Sequence, residues 1–352
     1  MKTFMMCVML AAAALSGAWA APISRDPYIG AIAIDAHSGQ VLFEDGADRP
    51  GYPASMVKLM DLFLVLDRVK AGSVRLTDSV RVTKEAADMG GSQVWLDPRE
   101  HFPVEDLLYA LIVQSANDAA MALAIHVGGS REEFVGMMNQ KARELGLSAV
   151  TRFQSPHGLP PGGNRRPDIT TPRDFAVLCR ALLAAHPEAL KYTSTDFRLF
   201  REASGKPFEM RTHNRLLGKV EGCDGLKTGY FRDAGYSIAA TAERNGARVI
   251  VVVMGSRDRE QRDAKAAEWL NRALLEASRP PPTLVPPPPP PAPPDPVWAQ
   301  ADAEPTAEAD SVGSPEPKGR SGWKTVGWVL LIVVLGAVIG MVVQRRLLMA
   351  TR

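Results

Sequence analysis

Residues 53–60 read PASMVKLM, and within them Ser55 and Lys58 stand three positions apart. Pro53 suits a first helical position, and Met56, Leu59 and Met60 supply an apolar side. On a helix, positions i and i+3 share a face, so hydroxyl and amine lie side by side. A capping serine next to a solvated lysine gives the same pattern; the chemical alternative is a nucleophile next to its base. A serine hydroxyl attacks poorly until a base takes its proton, and lysine serves only when neutral, a state that burial and a neighbouring cation both favour. Downstream, QSANDAA carries Ser115 and Asn117, and DGLKTGY carries Lys227, Thr228, Gly229 and Tyr230. Alone, S-x-N reads equally as a helix cap and K-T-G as a turn. Here they follow in the order S-x-x-K, S-x-N, K-T-G, 60 residues separating the two serines and 112 separating Ser115 from Lys227. That ordered set belongs to acyl transfer through a serine ester.

The surrounding stretches extend the pattern. AIAIDAHSGQVLFEDGADRPGYPASMVKLM, SANDAAMALAIHVGGSREEFVGMMNQKARELGL, SPHGLP and NRLLGKVEGCDGLKTGYFRDAGYS together cover much of residues 28–277. This segment resembles the low-molecular-weight penicillin-binding proteins, the serine-type D-alanyl-D-alanine carboxypeptidases. The resemblance implies a penicillin-recognising serine transpeptidase or β-lactamase-like fold. It further implies that Ser55 attacks the D-Ala-D-Ala bond of peptidoglycan stem pentapeptides, with Lys58 as base and the amides of Ser55 and Tyr230 as oxyanion donors. Ser115 would relay a proton to the leaving amine, and Asn117 would hold the substrate amide and orient Lys58. Substrate backbone would pair along the K-T-G strand at Gly229, while Lys227 and Thr228 take the terminal carboxylate. An arginine at the start of the helix after the last strand completes that carboxylate site. Arg262 matches best, with Arg257 and Arg259 as near rivals. β-Lactam antibiotics are the implied covalent inhibitors, and neither a cofactor nor a metal is implied.

Other readings share these residues. A DD-endopeptidase cutting peptide crosslinks would use the same Ser55 chemistry. A class A β-lactamase needs a deacylating glutamate that the sequence does not place, and an idle wall-binding protein has no need of intact motifs. Phe231 departs from the family pattern, since many members carry threonine two residues after the K-T-G glycine. His157, in SPHGLP, is read as fixing its loop, His213 and Cys223 as structural, and Asp118 and Asp224 as local hydrogen-bonding partners.

These residues need a scaffold, and the periodicity supplies one. IGAIAID and QVLFEDG flank the turn AHSG as a β-hairpin. Helical spacing runs through 104–145 and again through 171–185. Three β-like runs follow at 224–231, 235–244 and 247–256, the last two joined by Asn245-Gly246, and a helix over about 260–277 closes the body. Terminal strands around a helical middle predict a mixed α/β fold, one antiparallel sheet built from both chain ends with helices packed on it.

The chain has 352 residues, 46% of them hydrophobic, enough for one large domain or two small ones. A formal net charge of +2 gives no reason to expect nucleic acid as a partner. Residues 1–20 join a basic Lys2 to an apolar run ending in Ala18-Trp19-Ala20, the pattern of a secretory signal peptide. Cys7 lies inside that run, so no lipoprotein junction is expected. The catalytic domain is expected over 21–279, a proline-rich and polar linker over 280–322, and a transmembrane helix over 323–344. A short tail, 345–352, would then stay in the cytoplasm while the body faces outward as a single-pass membrane protein. Cys179 and Cys223 are expected as two buried thiols.

Overall fold

A computed structural model describes residues 27–160, 166–202 and 207–278. Strands β1 (Gly30–Asp35) and β2 (Val41–Asp45) form the expected hairpin. A 3-10 turn, Ala54–Val57, then runs straight into α1 (Lys58–Lys70). The helical middle follows: β3 (Ser79–Arg81), α2 (Lys84–Ala87), β4 (His101–Pro103), α3 (Val104–Ile112), α4 (Asn117–Gly128), α5 (Arg131–Glu144), α6 (Pro172–Ala185) and α7 (Ala189–Thr193). A small ribbon, β5 (Phe197–Phe200) and β6 (Phe208–Arg211), precedes β7 (Cys223–Phe231), β8 (Gly235–Arg244), β9 (Ala247–Ser256) and α8 (Arg259–Ala277).

The main sheet is antiparallel throughout, in the order β2-β1-β9-β8-β7. First and last strands of the body therefore pair, Ile32 opposite Val252, as the sequence predicts. Alternation along β9 divides two apolar layers. Ile250, Val252 and Met254 face the helical body, while Val249, Val251 and Val253 face α8, where Trp269, Leu270 and Ala273 cover them. A strand so enclosed reads as a continuous apolar run, hence RVIVVVM. Asn245 and Gly246 both take positive φ, 50° and 79°, the requirement of a tight two-residue hairpin turn.

Helix starts follow local chemistry. Thr171 accepts from the Asp174 amide ahead of Pro172, and the Asp258 side chain accepts from the Gln261 amide at the start of α8. Two expectations need correction. The segment from 104 onward is not one helix: it breaks between α3 and α4, where Ser115 takes φ of 60°. The chain does not enter an α-helix at Pro53 either, because a 3-10 turn intervenes. That turn strengthens the spacing argument, since residues three apart eclipse on a 3-10 helix. Cys179 is buried as expected, whereas Cys223, at the start of β7, is half-buried; both are free thiols. The leader (1–20), linker (280–322), span (323–344) and tail (345–352) lie outside the described residues. Among the described residues, no helix is long and apolar enough to cross a membrane.

Candidate active site

Ser55 lies in the 3-10 turn and Lys58 opens α1, whose first nine residues are all buried. Lys58 is fully enclosed and donates three hydrogen bonds: to Ser55 Oγ at 3.1 Å, to Asn117 Oδ1 at 2.7 Å and to the His157 carbonyl at 2.9 Å. Burial lowers its pKa from the usual lysine value to about 7, against the upward pull of Asp61, Asp168 and Asp118. An amine in that state can accept the proton of the hydroxyl beside it.

Asn117 is the first residue of α4. Its amide nitrogen donates to the Gly90 carbonyl at 2.7 Å, and its backbone N–H donates to the Ser92 carbonyl at 2.7 Å. The side-chain oxygen is thereby committed to Lys58. Ser115 sits in the bend before α4, its left-handed backbone aiming a nearly buried hydroxyl into the cleft.

β7 forms the opposite wall. Gly229 passes so close to the serine turn that an added Cβ would lie 2.2 Å from the Pro53 carbonyl. Only glycine allows that approach, which brings K-T-G over Ser55. Lys227 is buried, donates to the Thr228 carbonyl at 3.2 Å, and has its pKa driven well below normal by burial and then by Lys58 and Arg262. Tyr230, about half exposed, stacks on Tyr236 with ring centroids 4.2 Å apart. Phe231 stacks instead on Tyr52, outside the serine turn, at 5.7 Å.

Arg262, in the first turn of α8, is 2% exposed. Its guanidinium donates to Asp263 through Nε and Nη2, at 2.9 and 2.6 Å, and to the Ser237 carbonyl at 3.2 Å. Burial lowers its pKa while Asp263 opposes that shift.

Ser55, Ser115, Thr228, Gly229, Tyr230 and Arg262 line one cavity of about 480 Å³, with Lys58, Asn117 and Lys227 buried around it. The three motifs thus converge as the sequence predicts. Sequence reasoning missed part of the lining: Thr212, His213 and Arg215 follow β6, Ser92 and Tyr236 join them, and Arg259, named as a rival of Arg262, completes it. His213, expected to be structural, faces the cavity, and burial followed by Lys227 and Lys58 pushes its pKa down to about 4. The polar run THNR is the signal that marks this wall. Asp61, one turn beyond Lys58, is also unforeseen. It is fully buried, and burial raises its pKa well above the carboxylate range.

The remaining residues behave as read. The His157 ring accepts from the Leu159 amide, Asp118 accepts from the amides of Val94, Leu96 and Ala119, and Asp224 pairs with Arg248 at 2.7 Å. Among the described residues, no cluster of three or more His, Cys, Asp or Glu side chains could hold a metal ion.

Comparison with known proteins agrees with this geometry. The sequence profile for D-alanyl-D-alanine carboxypeptidases matches residues 28–258. The chain belongs to the D-alanyl-D-alanine carboxypeptidase family. D-alanyl-D-alanine carboxypeptidase DacF of Bacillus subtilis is 36% identical over 246 residues, covering 70% of this chain and 62% of its own length. DacC of Escherichia coli is 38% identical over 233 residues, 64% of this chain and 56% of that protein. The chain therefore spans about three fifths of the length of these relatives. Penicillin-binding protein D2 of Listeria monocytogenes, solved in its ampicillin-bound form, superposes with a TM-score of 0.62. It is 31% identical and covers 70% of this chain and 96% of that one. The fold is that of the penicillin-binding serine DD-peptidases, and the family profile ends just before Arg262.

Proposed function

We propose that this protein is a serine-type D-alanyl-D-alanine carboxypeptidase that removes the terminal D-Ala from peptidoglycan stem pentapeptides. The observation that carries this reading is Lys58: an amine with a pKa of about 7, 3.1 Å from the Ser55 hydroxyl. Lys58 takes the hydroxyl proton, and Ser55 Oγ attacks the carbonyl between the two D-alanines. The backbone amides of Ser55 and Tyr230 receive the oxyanion, as Gly229 brings β7 against the serine turn. Ser115, across the cavity, gives its hydroxyl proton to the leaving amine and takes back the proton held by Lys58. D-Ala departs, and water hydrolyses the ester to restore Ser55. Asn117 holds Lys58 and meets the substrate amide.

The carboxylate end of the cavity is cationic. Thr228 and Arg262 contact the terminal carboxylate, with Lys227 behind them and Arg215 and Arg259 adding charge. Penicillins present a carboxylate and a reactive carbonyl to the same groups, so they act as covalent inhibitors. The body works on the extracytoplasmic side, exported by residues 1–20 and tethered through the 280–322 linker by a span at 323–344.

The test has two parts. Purified protein should release D-Ala from a pentapeptide, and a labelled penicillin should form an ester on the peptide containing PASMVK. An adduct on another peptide would overturn the assignment of Ser55. Cleavage of crosslinked dimers without D-Ala release would replace trimming by endopeptidase activity.

A further inference from the structure

Trp95 is presented to solvent by a backbone that is held in place from both sides. The indole is 68% exposed, while its neighbours Val94 and Leu96 are buried. Its φ is 59°, a left-handed conformation that is costly for a bulky residue and persists only where the surroundings enforce it. Those surroundings are specific. The amides of Val94 and Leu96 both donate to the Asp118 carboxylate, at 3.2 and 3.0 Å. Arg201 donates to the carbonyls of Val94 and Trp95, at 2.6 Å each. Asp118 adjoins Asn117, so one helix end fixes both Lys58 and the loop that raises the indole. The same loop reaches the cleft at Ser92, which lines the cavity and whose carbonyl accepts from the Asn117 amide.

We infer that Trp95 is a stacking platform for the sugar rings of the glycan strand that carries the stem peptide. The inference rests on the carboxypeptidase reading for the identity of that polymer. A stem peptide seated in the cleft is attached to a glycan, so the polymer must leave past the cleft's rim. The indole is carried by the loop that lines the cleft at Ser92, three residues and so at most about 11 Å of chain away. Its surroundings suit sugars rather than a lipid surface or an apolar protein face. Asp97, half-buried, and Arg99, exposed, lie close to it in sequence and pair with each other at 2.7 Å. An indole face takes the C–H side of a pyranose, and such polar groups take its hydroxyls. An apolar docking surface would instead need a contiguous patch.

The experiment uses the full chain and glycan strands of alternating N-acetylglucosamine and N-acetylmuramic acid stripped of stem peptides. Isothermal titration calorimetry should show binding by the wild type, and that binding should be lost in Trp95→Ala. Trp95→Phe should restore binding about fivefold weaker than wild type. Correspondingly, Trp95→Ala should raise KM for a disaccharide pentapeptide about fivefold and leave the free pentapeptide and penicillin labelling unchanged. Equal glycan binding by wild type and Trp95→Ala would overturn the proposal and give the indole to a protein or membrane contact. Equal loss on both peptide substrates would also overturn it, placing the indole against the peptide. The stripped-glycan titration is independent of catalysis. It therefore decides the role of Trp95 even if D-Ala release and penicillin labelling are both absent and the carboxypeptidase reading falls.

Discussion

A lysine that must be neutral to work leaves a mark on the pH profile. Lys58 titrates at about 7, so the fraction able to take the Ser55 proton falls about tenfold per pH unit below that value. The second-order rate of penicillin acylation should therefore rise through pH 7 and level off above it. Lys58→Arg keeps the charge but stays protonated, and it should abolish acylation at every accessible pH. Near-normal labelling of that variant at pH 7 would exclude Lys58 as the base. Arg262 tests the other end of the cavity. Its guanidinium is already held by Asp263 and the Ser237 carbonyl, and its remaining edge meets the cavity. Arg262→Ala should lower kcat/KM on a D-Ala-D-Ala peptide at least tenfold and penicillin acylation much less, because β-lactam reactivity depends less on carboxylate pairing. A larger peptide-selective loss in Arg259→Ala would move the role to that half-buried neighbour.

At the scale of elements, the catalytic geometry depends on three segments pressed together: the serine turn, the SPHGLP loop and β7. Gly158 has φ of 75°, and a Cβ there would lie 2.1 Å from the Ala54 carbonyl, next to Ser55. Gly218 has a similar φ, 71°, with nothing within 4 Å. The pair separates backbone strain from contact. Gly218→Ala should cost about 1–2 kcal/mol of stability and leave acylation intact. Gly158→Ala carries the same strain and must also push the serine turn away, so it should lower Tm further and cut the acylation rate at least tenfold. Equal acylation in both variants would show that the loop does not fix Ser55. This arrangement also explains what was legible in the sequence. The strands and α8 announce themselves through apolar runs and Asn245-Gly246, all local signals. The break at Ser115 does not, because apolar spacing continues from α3 into α4 and only tertiary contact bends the chain there. The Lys58 bond to the His157 carbonyl joins residues 99 apart, and no spacing rule reports it. His213 was passed over for the same reason: a lone histidine after β6 gains meaning only once β7 brings Lys227 beside it.

For the whole molecule, the pairing of β1 with β9 fixes where the chain can be cut. Both ends of the body meet in the centre of one sheet, and α8 covers one of its faces. Trp269, Leu270, Ala273 and Leu274 pack there on Val249, Val251 and Val253. Each uncovered aliphatic side chain costs about 1.5–3 kcal/mol, so loss of the helix removes several at once. It also removes Arg262 from the cavity. A chain ending after Ser256 should therefore aggregate or unfold. A chain of residues 27–278 retains every hydrogen bond of the Ser55–Lys58–Asn117 group and the whole sheet. It should be soluble, bind labelled penicillin at the full-length rate, and release D-Ala from a free pentapeptide with unchanged kcat/KM. The proposed roles of the outer segments then appear by difference: the full chain should sediment with membranes and the 27–278 chain should not. If the shorter chain is folded by circular dichroism yet inactive on the free pentapeptide, residues beyond 278 do more than tether. If both chains partition alike, the membrane anchor proposed at 323–344 is wrong, while the Ser55 chemistry is judged separately by the penicillin adduct.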